Sequence, residues 1–98
     1  MTFIQVIDYE TDRGDEIEGL LDEWRASTEG RRSTGSAVTC RDRDRPDHYM
    51  TIVEFPSYEV AMENSNLPET GQFAARMAAL CKGEPTFVNL DEIRRDET

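Results

Sequence analysis

The chain has 98 residues, enough for one domain, and sets 21 Asp and Glu against 11 Lys and Arg for a formal charge of −10. That excess argues against nucleic acid or an anionic membrane as partner, because phosphates attract Lys and Arg and repel such a surface. No run approaches the ~18 apolar residues needed to span a bilayer.

A chain of this size buries only ~60–65% of its unfolded surface, so part of its apolar area is expected to be covered by a second copy. Met1-Thr2-Phe3 leads into a strand-like stretch rather than a basic and then apolar leader, and a cytoplasmic location is the expectation. Cys40, Cys81 and the single histidine His48 are too few for a four-ligand zinc site. Small disulfide-stapled domains use cysteine more densely, so the two cysteines read as reduced thiols, with no metal and no cofactor.

Phe3 to Tyr9 is rich in β-branched and aromatic residues and reads as a first strand with apolar groups on both faces. Asp12 is placed to cap the helix that follows, with Asp15, Glu16 and Glu18 favouring its positive end. Ile17, Leu20, Leu21 and Trp24 fall at i, i+3, i+4 and i+7, the apolar stripe of an amphipathic helix, and Trp24 reads as core. Asp15, Glu16 and Glu18 spread around that helix and read as a solvated face, not a metal cluster. Ser27 to Gly35 is a loop, and Ser36 to Arg41 a second strand.

Arg41 to Asp47 alternates in sign, unlike an RNA-binding stripe, which is basic throughout with aromatics among the arginines; it reads as a solvated hairpin tip. Tyr49 to Phe55 returns as a third strand, antiparallel to the second. Ser57 caps a helical region from Tyr58 to about Asn64, and Pro68 suits the first turn of a further helix. There Phe73, Met77, Leu80 and Cys81 form the apolar stripe, Ala74 and Ala78 permit close approach, and Gly83 stops the helix. Thr86 to Leu90 is the fourth strand; residues 1–91 are expected to form the domain and 92–98 a charged tail.

The order β-α-β-β-α-β is the α+β, ferredoxin-like arrangement, a four-stranded antiparallel sheet with its helices on one face. Ile4, Val6, Val88 and Leu90 are expected beneath the helices. The other face would then expose Phe3, Gln5, Ile7, Phe87 and Asn89, too apolar for water, so a homodimer closing over it is expected.

The stretch Tyr49-Met50-Thr51-Ile52-Val53-Glu54-Phe55-Pro56-Ser57-Tyr58-Glu59-Val60-Ala61, with Asn64-Ser65 and Phe73 beyond it, resembles the dimeric α/β-barrel superfamily, in particular its antibiotic-biosynthesis-monooxygenase-like branch. The resemblance covers roughly residues 2–91 and implies two copies forming a dimeric α/β barrel around a small aromatic or polyketide-like ligand. Relatives include cofactor-free monooxygenases that make quinones and haem-degrading oxygenases. The latter share an Asn on the first strand, a Trp in the second helical region and a haem-ligating His. Here Gln5 or Ile7, Asn64 and Met77 stand at those places, which sets haem degradation aside.

A cofactor-free oxygenase needs an apolar pocket and a few donors for a developing anion. Gln5, Thr51 and Asn89, with Asn64 and Tyr49, are the candidate donors, and Ile7, Phe73, Met77 and Phe87 the apolar lining. Gln5 and Asn89 read equally as hydrogen bonds across a dimer, and Tyr49 and Phe87 as interface packing. His48, whose ordinary pKa lies near neutrality, is a candidate base only if its ring enters the cavity; beside the charged tip it reads as exposed. Two functions stay open: a cofactor-independent monooxygenase, and a non-catalytic small-molecule-binding or accessory dimer.

Overall fold

Four β-rich segments pair into one antiparallel sheet, and three helices pack on one side of it. The computed structural model describes residues 1–33 and 35–97. Its elements are β1 (Phe3–Glu10), α1 (Gly14–Ser27), β2 (Ser36–Arg41), β3 (His48–Phe55), α2 (Tyr58–Ser65), α3 (Pro68–Ala79) and β4 (Thr86–Asp91). The strand order is β2-β3-β1-β4, with β1 antiparallel to both β3 and β4 and β2 antiparallel to β3. This is the ferredoxin-like α+β arrangement, with the second helical region divided in two.

The helix boundaries follow local chemistry. Ser57 caps α2, its hydroxyl accepting the Val60 N–H at 3.2 Å. Pro68 opens α3, where a missing N–H costs nothing. The expected Asp12 cap on α1 is not used: the helix begins at Gly14 without a side-chain cap. The hydroxyl of the preceding Thr11 takes the Arg13 N–H instead, at 2.9 Å. Thr11 is fully buried and also donates to Leu80 O at 2.7 Å, while its N–H donates to Asp47 O at 2.8 Å. One side chain thus ties the start of α1 to the end of α3, and its backbone holds the hairpin tip. At that tip Asp42 Oδ1 accepts the Asp44 and Arg45 N–H groups at 2.8 and 3.2 Å. The Asp44 N–H above all holds the Asp42 carboxyl below its ordinary range.

Pleating assigns the two faces. Phe3 pairs with Phe55, and both pack on Ala61 of α2; Tyr9 packs with Ile17 of α1 and Met77 of α3. The helices therefore cover the face that holds Phe3, Gln5, Ile7 and Tyr9, the reverse of the sequence expectation. Ile4, Val6, Val88 and Leu90 lie on the far face in register with one another and with Ile52 and Val38, and Val88 and Leu90 are 43% and 44% exposed. Either set is apolar enough to be buried, and strand alternation alone does not decide which one meets the helices. Beyond β4, Glu92 N–H donates to Thr2 O, and Arg95 pairs with Glu54 at 2.8 Å.

Thr11→Val keeps the volume but takes the hydroxyl away from Leu80 O and the Arg13 N–H at a part-buried site. At about 1–3 kcal/mol for each such group, urea unfolding is expected to show a loss of roughly 2–4 kcal/mol.

Candidate functional site

The buried aromatic residues fall into two clusters rather than one. Phe3, Phe55 and Ala61 form one, with Val53, Val60 and Met62 against them, and the Tyr58 ring meets Phe3 edge-on at 5.4 Å. Tyr9, Ile17 and Met77 form the other, joined by Ile7, Tyr49, Phe73, Leu80 and Cys81. Between sheet and helices lies a cavity of about 690 Å³, within the usual range for small-molecule sites. The sheet offers it Gln5, Ile7, Thr39, Thr51, Val53 and Phe87. The helices offer Leu21 and Trp24 from α1, Asn64 from α2, and Gly71, Phe73, Ala74 and Ala78 from α3. The alanines expected to bring α3 close to the sheet instead leave it room.

Trp24 belongs to the apolar stripe of α1 and is also a cavity wall. Its Nε1–H donates to Thr70 Oγ1 at 2.9 Å, its ring lies 6.3 Å from Phe73, and the Arg32 guanidinium sits 5.3 Å above it. Arg32 is in turn held by Arg25 O and Thr28 Oγ1, at 2.8 and 3.1 Å. Arg31 pairs with Glu69, clamping the loop after α1 to the start of α3. The indole is therefore a fixed surface.

The opposite wall is a pair of stacked phenols. The Tyr9 and Tyr49 rings lie 5.6 Å apart and 11° from parallel. Tyr49 fits only because residue 14 is glycine: a Cβ there would stand 2.7 Å from Tyr49 Oη. Burial, above all, pushes the Tyr9 phenol above its ordinary pKa, with the Thr51 hydrogen bond acting the other way. Burial also pushes the Cys81 thiol up.

Gln5, Ile7, Tyr49, Thr51, Asn64, Phe73, Met77 and Phe87, singled out from the sequence, line this one cavity. Asn89 stands beside it, accepting from Gln5 Nε2 at 3.0 Å. That bond joins two strands of one sheet, so neither residue is needed to bridge two copies. His48 lies elsewhere. It pairs with Glu10 in the ladder and so points to the far face, where Nε2 stands 2.7 Å from Asp8 Oδ1 without the alignment of a hydrogen bond. Asn64 is 8% exposed, and its buried Oδ1 has no hydrogen-bond partner among the described residues. Sequence reasoning missed Tyr9, Thr39 and Trp24 among other cavity residues, such as Leu21, Val53 and Gly71; for Thr39 the signal was its place directly opposite Thr51. Among the described residues no three His, Cys, Asp or Glu side chains converge to hold a metal. Among the same residues no helix is long and apolar enough to cross a membrane.

Because its folded pKa is raised, Tyr9 contributes stability that is complete below the unfolded value near 10.0 and is lost as pH rises through the folded pKa. Tyrosinate absorbance is expected to show one phenol titrating above 10.0 that disappears in Tyr9→Phe, with a flatter alkaline stability profile. Gly14→Ala is expected to force Tyr49 off its stack, reduce the near-ultraviolet circular dichroism, and cost roughly 1–3 kcal/mol in urea unfolding.

No sequence-family model matches the chain, and no curated protein sequence does. Solved structures match throughout. A variant of SnoaB, a cofactor-independent oxygenase from Streptomyces nogalater, superposes with a TM-score of 0.80 at 14% identity, over 96% of this chain and 95% of that one. Rv0793 from Mycobacterium tuberculosis gives 0.79 at 12%, over 99% and 100%. An antibiotic biosynthesis monooxygenase gives 0.74 at 17%, over 96% and 100%. The chain thus has the ferredoxin-like fold of the antibiotic-biosynthesis-monooxygenase-like proteins, over nearly its whole length.

Proposed function

We propose that the protein is a cofactor-independent monooxygenase acting on a small hydroxylated aromatic molecule held between the sheet and the helices of one protomer. The observation that carries this reading is the aromatic cavity of about 690 Å³ between sheet and helices, with the Asn64 carboxamide in its wall. Asn64 Oδ1 has no hydrogen-bond partner among the described residues; an acceptor left without a donor costs about 1–3 kcal/mol, and a turn of the amide toward the cavity brings it to a phenolic O–H. Trp24, Phe73 and Phe87 offer faces for flat rings. Gln5 retains a second amide N–H beyond the one given to Asn89, suited to a developing oxyanion. The fold shared with a cofactor-independent oxygenase supports the same chemistry. In an anthrone, such chemistry places one atom of dioxygen on the methylene carbon and releases the other as water with the two methylene hydrogens. The substrate itself supplies the electrons.

The second reading, a non-catalytic binding dimer, draws on one observation: His48 is not in the cavity, so the one side chain with a near-neutral ordinary pKa stands apart from it.

The homodimer belongs to the same proposal, with a changed surface. The far sheet face presents Ile4, Val6, Val38, Ile52, Val88 and Leu90, and a second copy meeting it sheet to sheet removes that apolar area from water. The cytoplasm, where reduced thiols persist, suits its two free cysteines.

Titration with 1,8-dihydroxyanthrone without oxygen is expected to quench Trp24 fluorescence, and Asn64→Leu to weaken binding by roughly 5- to 20-fold. With oxygen, uptake matched to anthraquinone formation supports the enzyme; binding without uptake supports the second reading. Sedimentation is expected to give twice the 11.2 kDa chain mass, and Val88→Arg a single chain.

A further inference from the structure

We propose that Tyr9, Thr51 and Thr39 form a hydroxyl relay that carries a proton from a hydroxyl group of the bound molecule to solvent at the edge of the sheet. The inference rests on the reading of the cavity as a hydroxyarene site and adds the route by which the ligand is ionised. The three residues stand on adjacent strands β1, β3 and β2, all on the helix-covered face, and all three line the cavity. Thr51 is directly opposite Thr39 in the ladder and diagonal to Tyr9, since its β1 partner is Ile7. Tyr9 Oη lies 3.4 Å from Thr51 Oγ1, which lies 3.3 Å from Thr39 Oγ1. Such separations are long for O–H···O bonds, as is common at sites that tighten once the ligand is bound.

The line also runs from inside to outside. Tyr9 is 6% exposed, Thr51 half-buried, and Thr39 exposed on the edge strand. Each hydroxyl both donates and accepts, so a proton entering at one end releases a different one at the other. The ligand O–H bond breaks as Tyr9 Oη gains that proton. Tyr9 passes its own to Thr51, Thr51 passes its own to Thr39, and Thr39 gives one to a water or buffer base. Every protein hydroxyl ends with one hydrogen, and the ligand is left as phenolate. Burial keeps Tyr9 protonated below alkaline pH, which suits a carrier rather than a base. The competing acceptors are the carboxylates on the α1 wall, Asp15 and Glu18.

The test uses 1-hydroxyanthraquinone, already oxidised and coloured differently when ionised. Binding to the intact protein is established by Trp24 quenching. A stopped-flow jump to higher pH then reads the ionisation rate of the saturated complex. The relay predicts a rate at least roughly tenfold slower in Thr51→Val and Tyr9→Phe, recovery in Thr51→Ser, and the wild-type rate in Glu18→Gln and Asp15→Asn. Thr39→Val, at an exposed position that tolerates change, is expected to slow it as well. Unchanged rates in Thr51→Val and Thr39→Val, or slowing confined to the carboxylate variants, would overturn the relay while leaving the binding site intact. Failure of the wild-type protein to bind the probe would remove both the site and the relay.

Discussion

The structure depends on a gap held open at two ends. Phe3 and Phe55 meet Ala61 at one end of the sheet, and Tyr9 meets Ile17 and Met77 at the other. Between these clusters the sheet carries the shorter side chains of Gln5 and Thr51, and α3 answers with Gly71, Ala74 and Ala78. Interiors are close-packed as a rule, so a space of about 690 Å³ in so small a chain marks a place where close packing is given up. Side-chain length along two strands and one helix is enough to produce it.

The cavity is also stiff where a ligand would touch it. Trp24 is fixed by Thr70, Phe73 and Arg32, and Tyr49 is set against Tyr9 by the missing Cβ of Gly14. Polar groups are few and distributed unevenly. Gln5 is partly satisfied by Asn89, and the buried Asn64 Oδ1 has no partner among the described residues. Fixed aromatic faces beside a few polar groups are the usual make-up of a small-molecule site.

Much of the architecture could be read along the chain. Residues at i, i+3, i+4 and i+7 placed α1, Ser57 and Pro68 placed the starts of α2 and α3, and the sign-alternating tip joined β2 to β3. Part of the cavity lining was legible too: Gln5 and Thr51 are polar groups that interrupt apolar strands. The face was not. Alternation divides Phe3, Gln5, Ile7 and Tyr9 from Ile4 and Val6 without saying which set the helices cover. Aliphatic purity suggested Ile4 and Val6, whereas the helices cover the aromatic set. Trp24 was read as core because stripe position and cavity wall look the same in one dimension. Thr11 hid its role because two of its partners, Leu80 and Asp47, are brought to it only by the fold.

Where the ligand sits is the point on which the account stands. Backbone and indole chemical-shift mapping of the isotope-labelled protein with 1-hydroxyanthraquinone addresses it directly. The account predicts the largest shifts at the Trp24 indole, Thr51, Asn64 and Ala74, with small ones at Val6, Ile52 and Val88. Shifts centred on Val6, Ile52 and Val88 would place the molecule between two sheets and contradict the account.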